Sequence, residues 1–167
     1  MNDLPFAILA LVALQRLAEL ALARRNTRAL LARGAVEIGA SHYPLIVFLH
    51  TAWLLSVLWF LPHPAMIHWP LLGVFLVLQG LRVWVLMTLG PYWTTRIISL
   101  PGAPLVAKGP YRYVRHPNYL VVAGEIAVLP LVFGEIMVAV VFSLANAGLL
   151  AWRIRQEETG LGARRQR

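Results

Sequence analysis

The chain has 167 residues, of which 59% are hydrophobic and 13% are charged. A soluble domain has about 25% charged residues, so this composition excludes a disordered chain and argues against an ordinary soluble domain. The absence of cysteine excludes disulfides, thiolate nucleophiles and cysteine-ligated metals. The net charge of +8 does not indicate a nucleic-acid partner, because the basic residues flank apolar stretches instead of covering a polar domain.

Five apolar stretches follow one another along the chain, and most are long enough to cross the hydrocarbon core of a bilayer. Basic residues follow the first stretch and do not precede it, so we interpret it as a retained helix and not as a secretory signal peptide. The fourth stretch is short, at about 24 Å if helical, and only Gly134-Glu135 separates it from the fifth, which predicts a tight helical hairpin. The predicted spans are residues 4–23, 44–61, 70–89, 118–133 and 136–152.

Basic residues alternate between the connecting segments as the positive-inside rule requires. Segments 24–43 and 90–117 and the C-terminal tail carry Lys or Arg, whereas segments 62–69 and 134–135 carry neither. We therefore predict an all-α, multi-pass integral membrane protein, with residues 1–167 in one domain. Its N-terminus is expected outside and its C-terminus in the cytoplasm, so the long loop and the tail share the cytoplasmic side.

Charged residues also lie inside the predicted spans, where an unpaired charge costs about 2.5–3.5 kcal/mol. Arg16 and Glu19 lie three residues apart on one helical face. Arg82 lies in the third span and Glu125 in the fourth. Structural ion pairs, Arg16 with Glu19 or Arg82 with Glu125, are one interpretation; for Arg82 and Glu125 we favour a polar cavity inside the bundle.

The loop before the fourth span is unusually rich in functional side chains. Residues 102–120 contain three Tyr, two Arg, one Lys, one His and three Pro. Arg115 and His116 lie at the expected start of a helix, where free backbone N–H groups favour an anion. With Glu157 and Glu158 of the tail on the same side, the site suits a cofactor with an anionic end, a cationic part and an aromatic ring.

These residues carry a resemblance to the isoprenylcysteine carboxyl methyltransferase family. Segments 79–84 and 89–96 are similar to its bacterial branch, some members of which are associated with O-methylation of alkylpyrones or alkylresorcinols. The resemblance implies a membrane enzyme that uses S-adenosylmethionine and acts on a lipophilic small molecule or a prenylated substrate in contact with membrane lipid. The main motif is Gly109-Pro110-Tyr111-Arg112-Tyr113-Val114-Arg115-His116-Pro117-Asn118-Tyr119, followed by Glu157-Glu158.

The resemblance also implies roles for individual residues. Arg115 and Glu158 would hold the acceptor and the cofactor in line. A carboxylate acceptor is already ionised, whereas a phenol-like hydroxyl benefits from a base, for which His116, Glu125 and Glu158 are candidates. With Glu125 and Arg82 added from the expected polar cavity, the candidate catalytic residues are Arg115, Glu158, Glu125 and Arg82. The residues expected to bind the cofactor are Leu105, Val106, Gly109, Tyr111, His116, Pro117, Tyr119 and Glu157.

Two other functions stay open at this point. Membrane NADPH-dependent sterol and steroid reductases carry a similar Arg-His-Pro-Asn-Tyr, and Lys108, Arg112 and Arg115 could bind the phosphates of NADPH. A non-catalytic scaffold or a small transporter is the second alternative, although the chain has no internal repeat of the kind many transporters carry. His63 and His68 lack nearby carboxylates in the sequence, so we predict no metal site.

Overall fold

The computed structural model describes residues 3–40, 43–103 and 106–165, with backbone alone for residues 159–165. Within these ranges the chain forms five α-helices and two short strands, which confirms the predicted all-α class of membrane protein. The helices are α1 (Leu4–Ala32), α2 (Tyr43–Trp59), α3 (Trp69–Leu89), α4 (Pro117–Val132) and α5 (Ile136–Arg165). The strands are β1 (Val36–Ile38) and β2 (Ile97–Ser99), and short 3-10 turns cover Gly90–Tyr92 and Gly109–Arg112.

Proline and glycine set several helix boundaries. Proline lies in the first turn of α1, α3 and α4, where its missing N–H costs nothing. Gly90 follows α3 with φ +51°, and Gly134 lies between α4 and α5 with φ +81°. Both glycines adopt backbone conformations that other residues rarely take, so the chain reverses sharply at these points.

Two helices continue beyond the predicted spans. Helix α1 extends past residue 23 to Ala32, and α5 extends past residue 152 to Arg165. The added turns are rich in Ala, Leu, Arg and Glu, which favour helix without being apolar enough for a membrane core. Helices α1, α3 and α5 are long and apolar enough to cross a membrane, whereas α2 and α4 are apolar but have only 17 and 16 residues.

The connecting segments gather at two opposite ends of the bundle. Strand β1 pairs antiparallel with β2, with Val36 opposite Ser99 and Ile38 opposite Ile97, so the segments after α1 and after α3 lie together. At the other end, the backbone N–H of His68 donates to the carbonyl of Val132 at 2.9 Å. This grouping agrees with the alternation of basic and non-basic segments. The strands were not predicted, because three residues are too few for a periodic pattern.

The apolar core lies around α2 and the hairpin of α4 and α5. Trp53 is completely buried, and its indole N–H donates to the carbonyl of Ile126 at 3.2 Å. Val57, Leu129 and Phe133 pack in the same cluster. Many other large apolar side chains of the helices point outward, as expected of surfaces that face lipid.

Candidate functional site

A cavity of about 280 Å³ opens at the end of the bundle that carries the two strands, and we call it the loop cavity. One wall is formed by Trp93 and by Ile97 of β2. Tyr111 of the loop before α4 forms a second wall, and Arg153 and Glu157 of α5 form a third. Residues from distant parts of the sequence therefore meet around one chamber, which has both polar and apolar walls.

Tyr119 connects the first turn of α4 with α5. Its hydroxyl donates to Oε2 of Glu157 at 2.5 Å and accepts from Nε of Arg153 at 2.9 Å. The ring of His116 stacks on that of Tyr119 with centroids 5.1 Å apart, and Nδ1 of His116 lies 3.8 Å from Oε2 of Glu157. The carboxylate of Glu157 is thereby fixed in place at the cavity wall.

Three buried polar atoms of the cavity lining have no hydrogen-bond partner within the described part of the chain. They are the indole Nε1 of Trp93, Nε2 of His116 and the side-chain oxygen of Asn118. Buried polar groups are nearly always paired in folded proteins. A ligand that offers one acceptor and one donor would satisfy the indole N–H and the amide oxygen.

Tyr111 faces the same chamber as a neutral hydroxyl. Burial, together with the negative charge of Glu157, raises the pKa of Tyr111 above its ordinary value of 10. The phenol therefore keeps its proton at neutral pH and can act as a hydrogen-bond donor.

The other residues expected to bind cofactor occupy different places. Val106 lines the loop cavity, and Leu105 lies outside the described residues. Pro117 is the first residue of α4 and is buried. Gly109 has φ +57°, and a Cβ there would lie 2.5 Å from Oγ1 of Thr88. The backbone at Gly109 thus packs directly against α3, and this close contact explains why glycine occupies the position.

Arg115 and Glu158 form an exposed ion pair at the edge of the loop cavity. Their closest charged atoms are 3.6 Å apart, and the side chains are 68% and 44% exposed. Arg115 contributes to the cavity lining. At this exposure the pair contributes little to stability, so both side chains can reorient toward a ligand.

Three buried charges and the partly buried Arg16 form a closed network, the ion-pair ring, between α1, α3 and α4. Arg82 donates to both oxygens of Glu19 and, at 2.7 Å, to Glu125. Arg16 lies 3.1 Å from Glu19 and 2.8 Å from Glu125. Both ion pairs expected from the sequence occur, and the ring adds cross-helix pairs to them. Its charges cancel, as burial in a membrane requires.

A second cavity, of about 90 Å³, lies deeper in the bundle, and we call it the bundle cavity. Arg82 and His50 contribute to its lining, so a cavity does lie beside Arg82, but its lining is mostly apolar and does not include Glu125. Glu125 lies in the ion-pair ring beside it. The two cavities adjoin, because the same residues line both: Trp93, Thr94, Asn118, Tyr119 and Arg153.

Sequence reasoning did not assign Trp93, Asn118 or His50 to the site. Arg153 was expected on the same side of the membrane as Glu157, and it lies four residues before Glu157 on one face of α5. Asn118 lies inside the motif itself. His50 gives no signal in the sequence, because it is a single imidazole in an apolar helix.

Comparison with known proteins identifies the family. The model of the isoprenylcysteine carboxyl methyltransferase (ICMT) family matches residues 71–163. The chain therefore belongs to this family of integral membrane proteins, as the motif indicated. It is also 41% identical over 158 residues to the uncharacterized protein YpbQ of Bacillus subtilis (strain 168), which covers 92% of this chain and 94% of that protein. No solved structure matches the chain.

Proposed function

We propose that the protein is an S-adenosylmethionine-dependent O-methyltransferase that acts on a lipophilic acceptor at the membrane. The observation that carries this proposal is the contact between the two cavities. The loop cavity has charged side chains such as Arg115 and Glu157 in its lining and opens beside the connecting loops, whereas the bundle cavity lies between apolar helices. A polar cofactor and an acceptor from the lipid phase can therefore meet at the residues the cavities share.

The loop cavity fits the chemistry of S-adenosylmethionine. This cofactor has an adenine ring, a cationic sulfonium and amino group, and a carboxylate. Tyr111, Tyr119 and Val106 offer aromatic and apolar surface for a ring, and Glu157 offers a negative charge for the cationic groups. Arg115 is placed to meet the carboxylate. The unpaired atoms of Trp93 and Asn118 supply hydrogen-bonding capacity for the polar edge of adenine.

The cofactor would supply an activated methyl group, and the protein positions the reactants. Transfer is an in-line displacement, which requires the acceptor oxygen about 3–3.5 Å from the reacting carbon. Arg115 and Glu158 at the cavity edge would hold the acceptor and cofactor in line. Arg82 and Glu125 act as positioning residues, because the ion-pair ring fixes the helices around the bundle cavity.

The acceptor is an isoprenylcysteine carboxylate or an alkylpyrone- or alkylresorcinol-type hydroxyl, with its tail between helices. The whole chain acts as one domain, since Leu30 of α1 contributes to the loop cavity. We further propose five membrane passes with the N-terminus outside. This orientation places the loop cavity and the basic segments in the cytoplasm, where the cofactor is available.

Calorimetric titration of the detergent-solubilised protein with S-adenosylmethionine and with NADPH tests the proposal. We expect binding of S-adenosylmethionine, weakened at least tenfold in Glu157→Gln and unchanged in Tyr113→Phe, because Tyr113 is 76% exposed. Transfer of a tritiated methyl group to lipophilic acceptors would then demonstrate catalysis. Binding of NADPH alone would contradict the proposal and favour a membrane reductase.

A further inference from the structure

We propose that His50 is a further catalytic residue, and that it accepts the proton of a hydroxyl group on the acceptor. This inference rests on the proposed methyl transfer and selects the acceptor: a lipophilic phenol or enol rather than a carboxylate. It follows from the position of His50 in the bundle cavity and from the hydrogen bond that fixes its ring.

His50 lies in the middle of α2, and one of its two ring nitrogens is engaged. Nδ1 lies 2.8 Å from the carbonyl oxygen of Ile46, one turn earlier in the same helix. A carbonyl only accepts hydrogen bonds, so in the neutral imidazole Nδ1 carries the hydrogen and Nε2 carries the lone pair. The ring is therefore held with its proton-accepting nitrogen available.

His50 lies in the cavity that adjoins the proposed cofactor site. His50 and Arg82 line the bundle cavity together with Trp93, Asn118 and Tyr119, which also line the loop cavity. An acceptor whose polar head fills the bundle cavity thus lies between the imidazole and the proposed cofactor site. A hydroxyl head group can donate its hydrogen to Nε2, whereas an ionised carboxylate has no hydrogen to donate.

Charge is conserved in the step that follows. The acceptor oxygen forms a bond to the methyl carbon as the carbon–sulfur bond of the sulfonium breaks, and the hydroxyl proton passes to Nε2. One positive charge disappears at sulfur and one appears on the imidazole. Arg82 and Arg153 also line this cavity, but Arg82 is paired with Glu19 and Glu125, so its charge is already balanced when the imidazole takes up the proton.

Two substitutions separate proton transfer from simple packing. In His50→Gln the side chain can still accept a hydrogen bond but cannot take the proton, so kcat for pentadecylresorcinol should fall about 100-fold with little change in KM. The variant His50→Phe should bind pentadecylresorcinol about tenfold more weakly in the absence of cofactor. Its affinity for the dimethyl ether, which has no hydroxyl to donate, should stay unchanged. His63→Gln, an exposed histidine at the opposite end, is the matched control.

The acceptor comparison completes the test. The wild-type protein should methylate pentadecylresorcinol much faster than N-acetyl-S-farnesylcysteine, and only the former reaction should depend on His50. An unchanged kcat in His50→Gln, or methylation of the farnesylcysteine alone, would overturn the inference while leaving methyltransferase activity intact. Failure of S-adenosylmethionine to bind the wild-type protein would instead overturn the proposed function together with this step.

Discussion

The hydroxyl of Tyr119 lies 2.5 Å from Oε2 of Glu157, and this hydrogen bond connects the beginning of α4 with the C-terminal half of α5. The two residues are far apart in the sequence but share one wall of the loop cavity. A hydrogen bond between a phenol and a carboxylate is among the stronger neutral–charged contacts in proteins. The position of Glu157 therefore depends on Tyr119.

Tyr119→Phe should weaken the binding of S-adenosylmethionine by about tenfold or more. The substitution removes the hydrogen bonds to Glu157 and Arg153, and bonds to charged groups contribute about 1.5–3 kcal/mol each. Calorimetric titration measures the change. Tyr113→Phe is the matched control, and equal affinities in the two variants would argue against a role for the hydroxyl of Tyr119.

Arg82→Leu should destabilise the protein by about 3–5 kcal/mol, because it leaves Glu19 and Glu125 with only Arg16 to balance them. Thermal unfolding in detergent measures this loss. Arg24→Leu, a change of the same kind on the exposed face of α1, should alter stability by less than about 0.5 kcal/mol. A tolerated Arg82→Leu would show that the ion-pair ring contributes little to stability.

Gly109→Ala should lower stability and weaken binding in the loop cavity. The new methyl group would meet Oγ1 of Thr88 at 2.5 Å, and φ +57° costs an alanine about 1–2 kcal/mol. Gly109→Ala combined with Thr88→Ala should relieve the contact but not the backbone cost, so the double variant should recover only part of the stability. Full recovery would mean that the backbone conformation is unimportant.

The stability of the protein should fall as the pH rises from about 5 to about 7. Burial raises the pKa of Glu135, in the turn before α5, from 4.5 to about 7. Between these two pKa values the folded state keeps the proton of Glu135, whereas the unfolded state releases it. Protonation of Glu135 therefore favours folding at low pH, and this contribution is lost as the pH rises toward 7.

Unfolding measured across the pH range tests this dependence. The pKa difference corresponds to at most about 3 kcal/mol of stability lost between the two values. Glu135→Gln, which is neutral at every pH, should flatten the dependence, whereas Glu37→Gln at the opposite end should retain it. A wild-type profile without a decline would contradict the expected protonation.

The sequence predicts the helices well, because their signals are local. Helix α4 was expected at residues 118–133 and lies at Pro117–Val132, since proline at its start and Gly134 after its end limit it directly. The pairing of Arg16 with Glu19 is equally local. The pairing of Glu19 with Arg82 is not, because spacing within one helix does not reveal which helices become neighbours.

The candidate site was also predictable in part, because its motif is one continuous stretch of the sequence. The motif identified the family and drew attention to Tyr111, His116 and Tyr119, which the structure brings to one cavity with Glu157. Their roles in binding remain predictions. His50 could not be found from sequence, because its orientation comes from a bond to its own helix backbone and its neighbours come from the packing of other helices.

The ion-pair ring has a consequence for biogenesis. Ribosomes release the N-terminal part first, so α1 enters the bilayer with Arg16 and Glu19 able to neutralise each other. Arg82 then arrives as an extra cation that can dock onto Glu19, and Glu125 arrives last to balance it. Helices α3 and α4 thus each bring a charge for which an earlier helix already holds the partner, which favours the native helix arrangement as insertion proceeds.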